Sequence, residues 1–309
     1  MIISASRRSD IPAFYSDWFM NRVRQGWCVV PHPFNRKRIY RVSLRPDDVT
    51  AIVFWSKNPA PMIAHLNELD EREYRYYFLF TVNDYPVELE PNVPDLSERI
   101  AVFQRLADRL GPRRAVWRYD PIVISNRTDW DYHRRAFERL CRELRGSTVR
   151  VITSLVQFYA KTRRRLAALS EQGFEFGLNL TGRDEARVLL ADMATMADNA
   201  GMEIMICASE EDFSDVGIKP SRCIDGELLS QLWGLPGPWP RDKGQRLSCG
   251  CTVAKDIGVA DTCLHHCPYC YSTVSEKAAL NNFEKHIQHA PCMGALPDGI
   301  DEEYHGQQD

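Results

Sequence analysis

The chain has 309 residues, of which 44% are hydrophobic and 26% are charged, and its formal net charge is −3. This composition is ordinary for a globular protein, and the small net charge excludes a global field that would attract nucleic acid or an anionic membrane. No apolar run approaches the ~20 residues that a membrane-spanning helix needs. We therefore expect neither a membrane nor a nucleic-acid partner.

Cysteine usage indicates the compartment and the chemistry. The chain contains ten cysteines, and its first residues, MIISASRRSD, lack the long apolar core of a signal peptide. We expect a cytoplasmic protein, because a reducing compartment favours metal or redox chemistry at cysteine over disulfides.

Strands and helices are predicted to alternate along the first 207 residues. Short apolar runs predict buried strands at 1–6, 51–55, 76–82, 115–117, 149–156 and 203–207. Amphipathic segments predict helices that end near residues 25, 69, 110, 144, 172 and 200. Two further stretches, 27–31 and 39–43, predict a hairpin around Asn35. The alternation is typical of an α/β protein, and we expect a (β/α) barrel, complete or partial and TIM-like, with a doubly wound open sheet as the alternative.

The amino-acid composition changes after Cys207, where glycine, proline and aspartate become frequent. We predict a barrel body at 1–207, a cysteine-rich iron–sulfur extension at 208–296 that caps the barrel mouth, and a disordered tail at 297–309. A short helix is expected at 225–233.

Charged and polar side chains follow three of the predicted strands. Because strand C-termini share one face of a barrel, these groups are expected to converge on one pocket. Arginine forks bind carboxylate or phosphate, a lysine can hold an anion, and an aspartate can orient an arginine or move a proton. The pattern predicts an anionic, polar small-molecule substrate, and the alternative is a solvated rim of ion pairs. The candidate catalytic residues are Arg7, Arg8, Asp10, Lys57, Asn58, Arg118 and Asp120.

Cys263, Cys267 and Cys270 have the spacing C-x3-C-x2-C. Three thiolates on so short a loop can bind three corners of one metal cluster and leave the fourth open, as a catalytic metal requires. We predict that they hold an iron–sulfur cluster. The alternative is a zinc site that draws on Cys249, Cys251, His265 or His266.

Four more cysteines are candidates for a second metal site. They are Cys207, Cys223, Cys249 and Cys251. They are enough for a second iron–sulfur cluster or a zinc ion, and the alternative is a set of separate structural thiols. Cys28 and Cys141 are expected to be ordinary buried thiols. The arginine run at 163–165 is expected to be a solvated helix face.

The C-x3-C-x2-C loop, with Tyr269 before its last cysteine, resembles the cluster loop of the radical S-adenosylmethionine enzymes. The resemblance implies that three cysteines hold a 4Fe–4S cluster and that S-adenosylmethionine binds the fourth iron. In that superfamily the loop usually follows the first barrel strand, whereas here it lies near the C-terminus.

A second resemblance covers about residues 2–272. The segments SRRSDIPAFYSDWF, FWSKNP, WRYDP, RCIDGEL and QRLSCGC, followed by DIG and DTCLHHCPYCY, are similar to those of domain of unknown function family 1848. This resemblance implies a barrel-like body with a C-terminal cysteine cluster and names no substrate.

These features predict an iron–sulfur enzyme of radical S-adenosylmethionine type that receives electrons from a donor such as ferredoxin or flavodoxin. Two alternatives stay open. One is a non-redox barrel hydrolase or lyase with structural zinc, and the other is a non-catalytic iron–sulfur protein that senses redox state or binds nucleic acid.

Overall fold

The computed structural model describes residues 1–32, 35–177, 180, 182–297 and 299–300. Its strands are β1 (Ile2–Ala5), β2 (Trp27–His32), β3 (Asn35–Ser43), β4 (Ala51–Ser56), β5 (Tyr76–Thr81), β6 (Ala115–Ile122), β7 (Arg150–Leu155), β8 (Glu203–Ile206), β9 (Lys219–Pro220) and β10 (Lys255–Asp256). Its α-helices are α1 (Ile11–Phe14), α2 (Ser16–Gln25), α3 (Ala60–Ile63), α4 (Leu66–Glu71), α5 (Leu96–Leu110), α6 (Trp130–Glu143), α7 (Ala160–Ser170), α8 (Asp184–Asn199), α9 (Gly226–Trp233) and α10 (Glu276–Glu284).

The chain forms two compact units. The first consists of Met1–Tyr77, Ala254–His266 and Ser272–Asp309, and the second of Phe78–Val253 and Cys267–Tyr271. Residues of the cysteine-rich loop therefore belong to both units. The predicted regions 1–207, 208–296 and 297–309 stay a prediction, and the tail beyond residue 300 lies outside the described residues.

In the first unit, parallel strands pair in the order β10-β1-β4. Ile3 of β1 lies opposite both Lys255 and Ile52. The hairpin predicted around Asn35 is confirmed, because β2 and β3 are antiparallel and Cys28 faces Val42. Strand β10 carries no apolar pattern in its two residues, and the sequence did not predict it.

In the second unit, parallel strands pair in the order β5-β6-β7-β8-β9. Trp117 of β6 lies opposite Val151 of β7, and Val151 lies opposite Ile204 of β8. Trp117 is fully buried and stacks on Phe137 of α6 with ring centroids 5.0 Å apart. This tryptophan is therefore part of the core.

The α/β class is confirmed by these parallel strands and the helices between them. All four residues of β1 and all six of β5 are buried, as is usual for parallel strands covered on both faces. Among the described residues, neither strand order closes on itself, and a barrel stays a prediction. No helix in this part of the chain has the length and apolar character needed to span a bilayer.

Candidate functional site

Asp10 follows β1 and is the centre of a buried hydrogen-bond network in the first unit. Its Oδ1 accepts hydrogen bonds from the Ala13 amide at 3.0 Å and the Ser56 hydroxyl at 2.7 Å. Its Oδ2 accepts one from the Lys57 amide at 2.7 Å and lies 2.8 Å from Nε2 of His265. The network joins the ends of β1 and β4 to a histidine of the cysteine-rich loop.

Asp256 of β10 binds the same end of β1. Its carboxylate accepts hydrogen bonds from the hydroxyls of Ser4 and Ser6 at 2.8 and 2.7 Å and from the Arg7 amide at 2.8 Å. A Cβ atom on Gly258 would lie 1.8 Å from the Ser6 hydroxyl oxygen. Only glycine therefore allows the C-terminal segment to approach β1 this closely.

The remaining predicted residues of the first unit lie around these two carboxylates. The Arg7 guanidinium lies over the Trp55 ring, 5.8 Å from its centroid. Arg8 donates a 3.4 Å hydrogen bond to a backbone carbonyl of the C-terminal segment. Asn58 accepts a 3.2 Å hydrogen bond from the Ala60 amide at the start of α3. Arg7, Arg8, Asp10, Lys57 and Asn58 thus belong to one unit.

Cys263 is the member of the predicted cluster loop that belongs to the first unit. Burial, followed by the negative charge of Cys263, raises the pKa of Tyr15 above its ordinary value. The Tyr15 hydroxyl donates a 2.8 Å hydrogen bond to the carbonyl of Thr262, which precedes this cysteine. The hydroxyl of Thr262 lies 2.7 Å from that of Ser9. Side chains of the segment that follows β1 therefore bind Thr262 at the start of the cysteine loop.

Cys267 and Cys270 lie on one turn of the second unit. The Cys270 amide donates a 3.0 Å hydrogen bond to the Cys267 carbonyl. Arg165 of α7 donates to the carbonyls of both cysteines, to Cys267 at 3.4 Å and to Cys270 by a shorter bond. The arginine run at 163–165 is therefore not wholly a solvated face, because its last member binds the turn.

Tyr269, which lies between the two cysteines, anchors the same turn through its buried side chain. Its hydroxyl lies 2.5 Å from Oε1 of Glu90, which also accepts a 3.0 Å hydrogen bond from Asn83. The second oxygen of Glu90 pairs with Arg99 at 3.2 Å, and both side chains are at most 5% exposed. Burial is the largest cause that raises the pKa of Tyr269, so the phenol is a neutral donor to the carboxylate.

Four thiols meet in the second unit. The sulfurs of Cys207 and Cys223 are 3.5 Å apart, and Cys251 forms hydrogen-bonding contacts with Cys223 and Cys249. The hydrogen bond from Cys223 is the largest cause that lowers the pKa of the Cys207 thiol. Within the described part of the chain, no group of three or more His, Cys, Asp or Glu side chains is arranged as a metal site. The contacts instead link the thiols one to the next, in the order Cys207, Cys223, Cys251 and Cys249.

Arg118 and Asp120 are predicted to follow a strand, but they lie within β6, which extends to Ile122. The Arg118 guanidinium lies near the thiols of Cys207 and Cys223. Arg118 pairs with Asp120 at 2.5 Å, and the Ser154 hydroxyl donates to the other carboxylate oxygen of Asp120 at 2.5 Å. Burial lowers the pKa of Arg118, but the charges of Asp120, Cys223 and Cys207 raise it above its ordinary value. The guanidinium is therefore a fixed positive charge next to two sulfurs.

An open pocket lies where β7 and β8 end. Its lining residues are Ser154, Leu155, Val156, Gln157, Cys207, Ala208, Ser209, Glu210 and Arg246. The Ser248 hydroxyl donates a 3.1 Å hydrogen bond to the Ala208 carbonyl. Cys207 thus lies between the thiol group and a solvent-accessible cleft at the C-terminal ends of parallel strands, where α/β proteins bind ligands.

A family model described as domain of unknown function (DUF1848) matches residues 2–272. The chain belongs to the DUF1848 family. No curated protein and no solved structure matches it.

In this DUF1848 protein, three residues that sequence reasoning missed hold the predicted site residues. They are Asp256, Glu90 and Arg165, each of which binds a backbone or side-chain group far away in the chain. Glu90 lies in a polar loop and Arg165 in a run of three arginines, so neither stands out by residue type or spacing. Asp256 belongs to the family-like segment around Asp256-Ile257-Gly258, and this was the one signal that could have selected it.

Proposed function

We propose that this DUF1848 protein is an iron–sulfur enzyme of radical S-adenosylmethionine type, with a 4Fe–4S cluster on Cys263, Cys267 and Cys270. The observation that carries the proposal is the clamped turn of Cys267 and Cys270. Arg165 binds the carbonyls of both cysteines, and Tyr269 between them binds buried Glu90. A ligand loop held by groups around it is the arrangement that tunes and orients bound metal.

The donor set fits the proposed cluster. Three thiols at C-x3-C-x2-C spacing supply three ligands and leave one iron open. With S-adenosylmethionine bound, a cluster held by Cys263, Cys267 and Cys270 would supply one-electron reductive cleavage of a carbon–sulfur bond, with the electron coming from ferredoxin or flavodoxin. The chain's own contribution is to hold the thiols and keep Tyr269 neutral beside Glu90.

The substrate is proposed to be an anionic, polar small molecule bound at the C-terminal ends of the parallel strands, in a complete or partial barrel in the cytoplasm. Arg7 supports this role, because its guanidinium lies over Trp55 at a half-buried position after β1. Asp10 is better suited to positioning, because its two oxygens already hold four groups. Arg118 has Asp120 and two thiols beside it and is better suited to balancing charge at the sulfurs.

Anaerobic purification with iron and sulfide analysis tests the cluster. We expect about four iron and four sulfide per chain at this loop, lost in Cys263→Ala, Cys267→Ala and Cys270→Ala. Cys141→Ala is the matched control, because Cys141 is a buried thiol on α6. Full iron content in all three loop variants would contradict the proposal.

A turnover assay separates the enzyme from its alternatives. Reduced protein incubated with S-adenosylmethionine is expected to release methionine and 5′-deoxyadenosine in equal amounts. A colourless zinc protein would favour the hydrolase or lyase alternative, because zinc has no redox chemistry. A brown protein that never cleaves S-adenosylmethionine would favour a non-catalytic iron–sulfur protein.

A further inference from the structure

We propose that Cys207 and Cys223 form a thiol pair that reacts with a hydroperoxide at the pocket where β7 and β8 end. Cys207 is the attacking thiol, and Cys223 resolves the oxidised product as a disulfide. The pair lies in the second unit, and its reaction does not depend on the function proposed for the loop of Cys263, Cys267 and Cys270.

The two sulfurs are close enough to join after a small movement. Both cysteines are thiols, and their Sγ atoms are 3.5 Å apart. A disulfide bond is about 2.0 Å long, so the sulfurs must approach each other by about 1.5 Å, which rotation of the two side chains supplies.

The backbone brings the two thiols together. The Cys207 amide donates to the Thr153 carbonyl at 2.7 Å, and this bond extends the pairing of β7 with β8. The Ser221 amide, two residues before Cys223, donates to the Ile206 carbonyl at 2.7 Å. Both thiols are therefore positioned by strand pairing, and the pair does not need a bound ligand to meet.

Exposure gives the two thiols different roles. Cys207 is half-buried and lines the open pocket together with Ser154 and Glu210, so a small molecule in the pocket can reach its sulfur. Cys223 is only 1% exposed, and its thiol donates a hydrogen bond to the sulfur of Cys207. An accessible thiol beside a resolving thiol is the arrangement of cysteines that peroxides oxidise selectively.

Groups around the pair favour a thiolate at Cys207. The titratable groups that face it are two arginines, two carboxylates and three thiols: Arg118, Arg246, Asp120, Glu210, Cys223, Cys249 and Cys251. The hydrogen bond from Cys223 is the largest cause that lowers the pKa of Cys207, and the charge of Arg118 lowers it further, against burial. Contacts with Cys207 and Cys251 raise the pKa of Cys223, so this thiol keeps its proton. The nucleophile and the proton donor are thus distinct.

The reaction has two steps. The Cys207 thiolate attacks the hydrogen-bearing oxygen of the hydroperoxide, the O–O bond breaks, and the leaving alkoxide or hydroxide takes a proton from water. The product on Cys207 is a sulfenic acid. The sulfur of Cys223 then attacks the sulfenic sulfur, its proton goes to the departing hydroxide, and water leaves. Two electrons pass from the sulfurs to the peroxide oxygens, and a second dithiol, oxidised in exchange, returns the disulfide to two thiols.

Peptide mass spectrometry of the anaerobically purified full chain, after treatment with one equivalent of hydrogen peroxide, is the decisive measurement. We expect the cross-linked peptide of Cys207 and Cys223 as the main product, and its disappearance after dithiothreitol. Cys263→Ala should give the same cross-link whether or not it loses iron. A disulfide between Cys223 and Cys251, a Cys207 thiol that survives the treatment, or a metal bound by Cys207 and Cys223 in the untreated chain would overturn the proposal.

Variants test the two roles. Cys223→Ser should stop at the sulfenic acid of Cys207, which a 1,3-dione reagent labels, and Cys207→Ser should lose both the label and the cross-link. Cys141→Ser is the control and should keep the cross-link, because burial raises the pKa of this thiol on α6 to about 12. A Cys223→Ser chain that peroxide leaves unlabelled at Cys207 would overturn the assignment.

The rate of peroxide reaction tests the charge beside the thiolate. Arg118→Gln should slow the oxidation of Cys207 about tenfold near neutral pH, because a pKa one unit higher leaves about one tenth of the thiolate. An unchanged rate in this variant would contradict the role given to Arg118. If the variants do not fold, the cross-link in the wild-type chain still decides the outcome.

Discussion

Nε2 of His265 lies 2.8 Å from Oδ2 of Asp10, although the two residues are 255 positions apart in the chain. Both side chains are buried, with 3% and 6% of their surface exposed. The contact joins the N-cap residue of α1, in the loop that follows β1, to the cysteine-rich loop. Because Asp10 also holds the Ser56 hydroxyl and the Lys57 amide, one carboxylate orders the ends of two parallel strands and the segment that leads to Cys267.

Replacement of Asp10 by alanine should lower the free energy of unfolding by about 3 kcal/mol, because it leaves several buried donors without an acceptor. Urea denaturation measures the loss. Asp47→Ala is the control, because Asp47 is exposed and lies in the short helical turn Pro46–Asp48. Equal, small effects of the two substitutions would show that the Asp10 network does not stabilise the fold.

The hydrogen bonds from Arg165 to the carbonyls of Cys267 and Cys270 predict that substitutions of two adjacent arginines of α7 change the rate of iron loss differently. Arg165→Gln should make the cluster loop less ordered and increase the rate of iron loss to a chelator by about tenfold, as removal of an outer-shell partner does at metal sites. Arg164→Gln should leave the rate unchanged, because Arg164 is exposed on the same helix. The chelation time course of the anaerobically purified protein measures both rates, and an equal rate for the two variants would contradict the clamp.

The buried pair of Arg99 and Glu90 should be far more sensitive to substitution than an exposed pair. Arg99→Met leaves the Glu90 carboxylate buried without its cation, and the expected loss is about 3–5 kcal/mol in the free energy of unfolding. Arg24→Met breaks the exposed pair with Glu68 and should cost at most about 1 kcal/mol. Chemical denaturation of both variants checks this, and comparable losses would be inconsistent with the burial described.

The buried histidine His133 is expected to make the free energy of unfolding fall in acid. Burial lowers its pKa from the usual ~6.5 to about 4, and the ring lies 2.7 Å from the Tyr119 hydroxyl and 3.1 Å from the Val123 carbonyl. Between these two pKa values the unfolded chain binds a proton that the folded chain does not. The free energy of unfolding should therefore fall as pH decreases from about 6.5 to 4, by about 1.4 kcal/mol per pH unit from this group.

The pH dependence of unfolding in His133→Gln tests this linkage. Its slope between pH 6.5 and 4 should be smaller than that of the wild type by about one proton. His286, whose pKa burial also lowers to about 4, keeps its own contribution in the variant. An unchanged slope in His133→Gln would contradict the predicted protonation of this residue.

The sequence by itself determined the local elements. The apolar runs at 1–6, 51–55, 76–82, 115–117, 149–156 and 203–207 each fall on a strand, although β6 continues past residue 117 to Ile122. The helix expected at 225–233 forms as Gly226–Trp233 with Asp225 as its N-cap. These features depend on side-chain periodicity and caps, which act over a few residues. The α/β class followed from the same patterns, because their alternation leaves few ways to pair the strands.

Only the tertiary structure decided which distant groups meet. Strand β10 has two residues and no apolar pattern, and pairing with β1 alone makes it a strand. Arg165 cannot be told from its neighbours Arg163 and Arg164 in the sequence. Only the packing of α7 places its guanidinium within hydrogen-bond distance of the Cys267 carbonyl. Cys207 and Cys223 could have been separate thiols, and the sulfur distance of 3.5 Å depends on the pairing of β8 with β9. Such contacts depend on chain closure over long sequence separations, which no local pattern encodes.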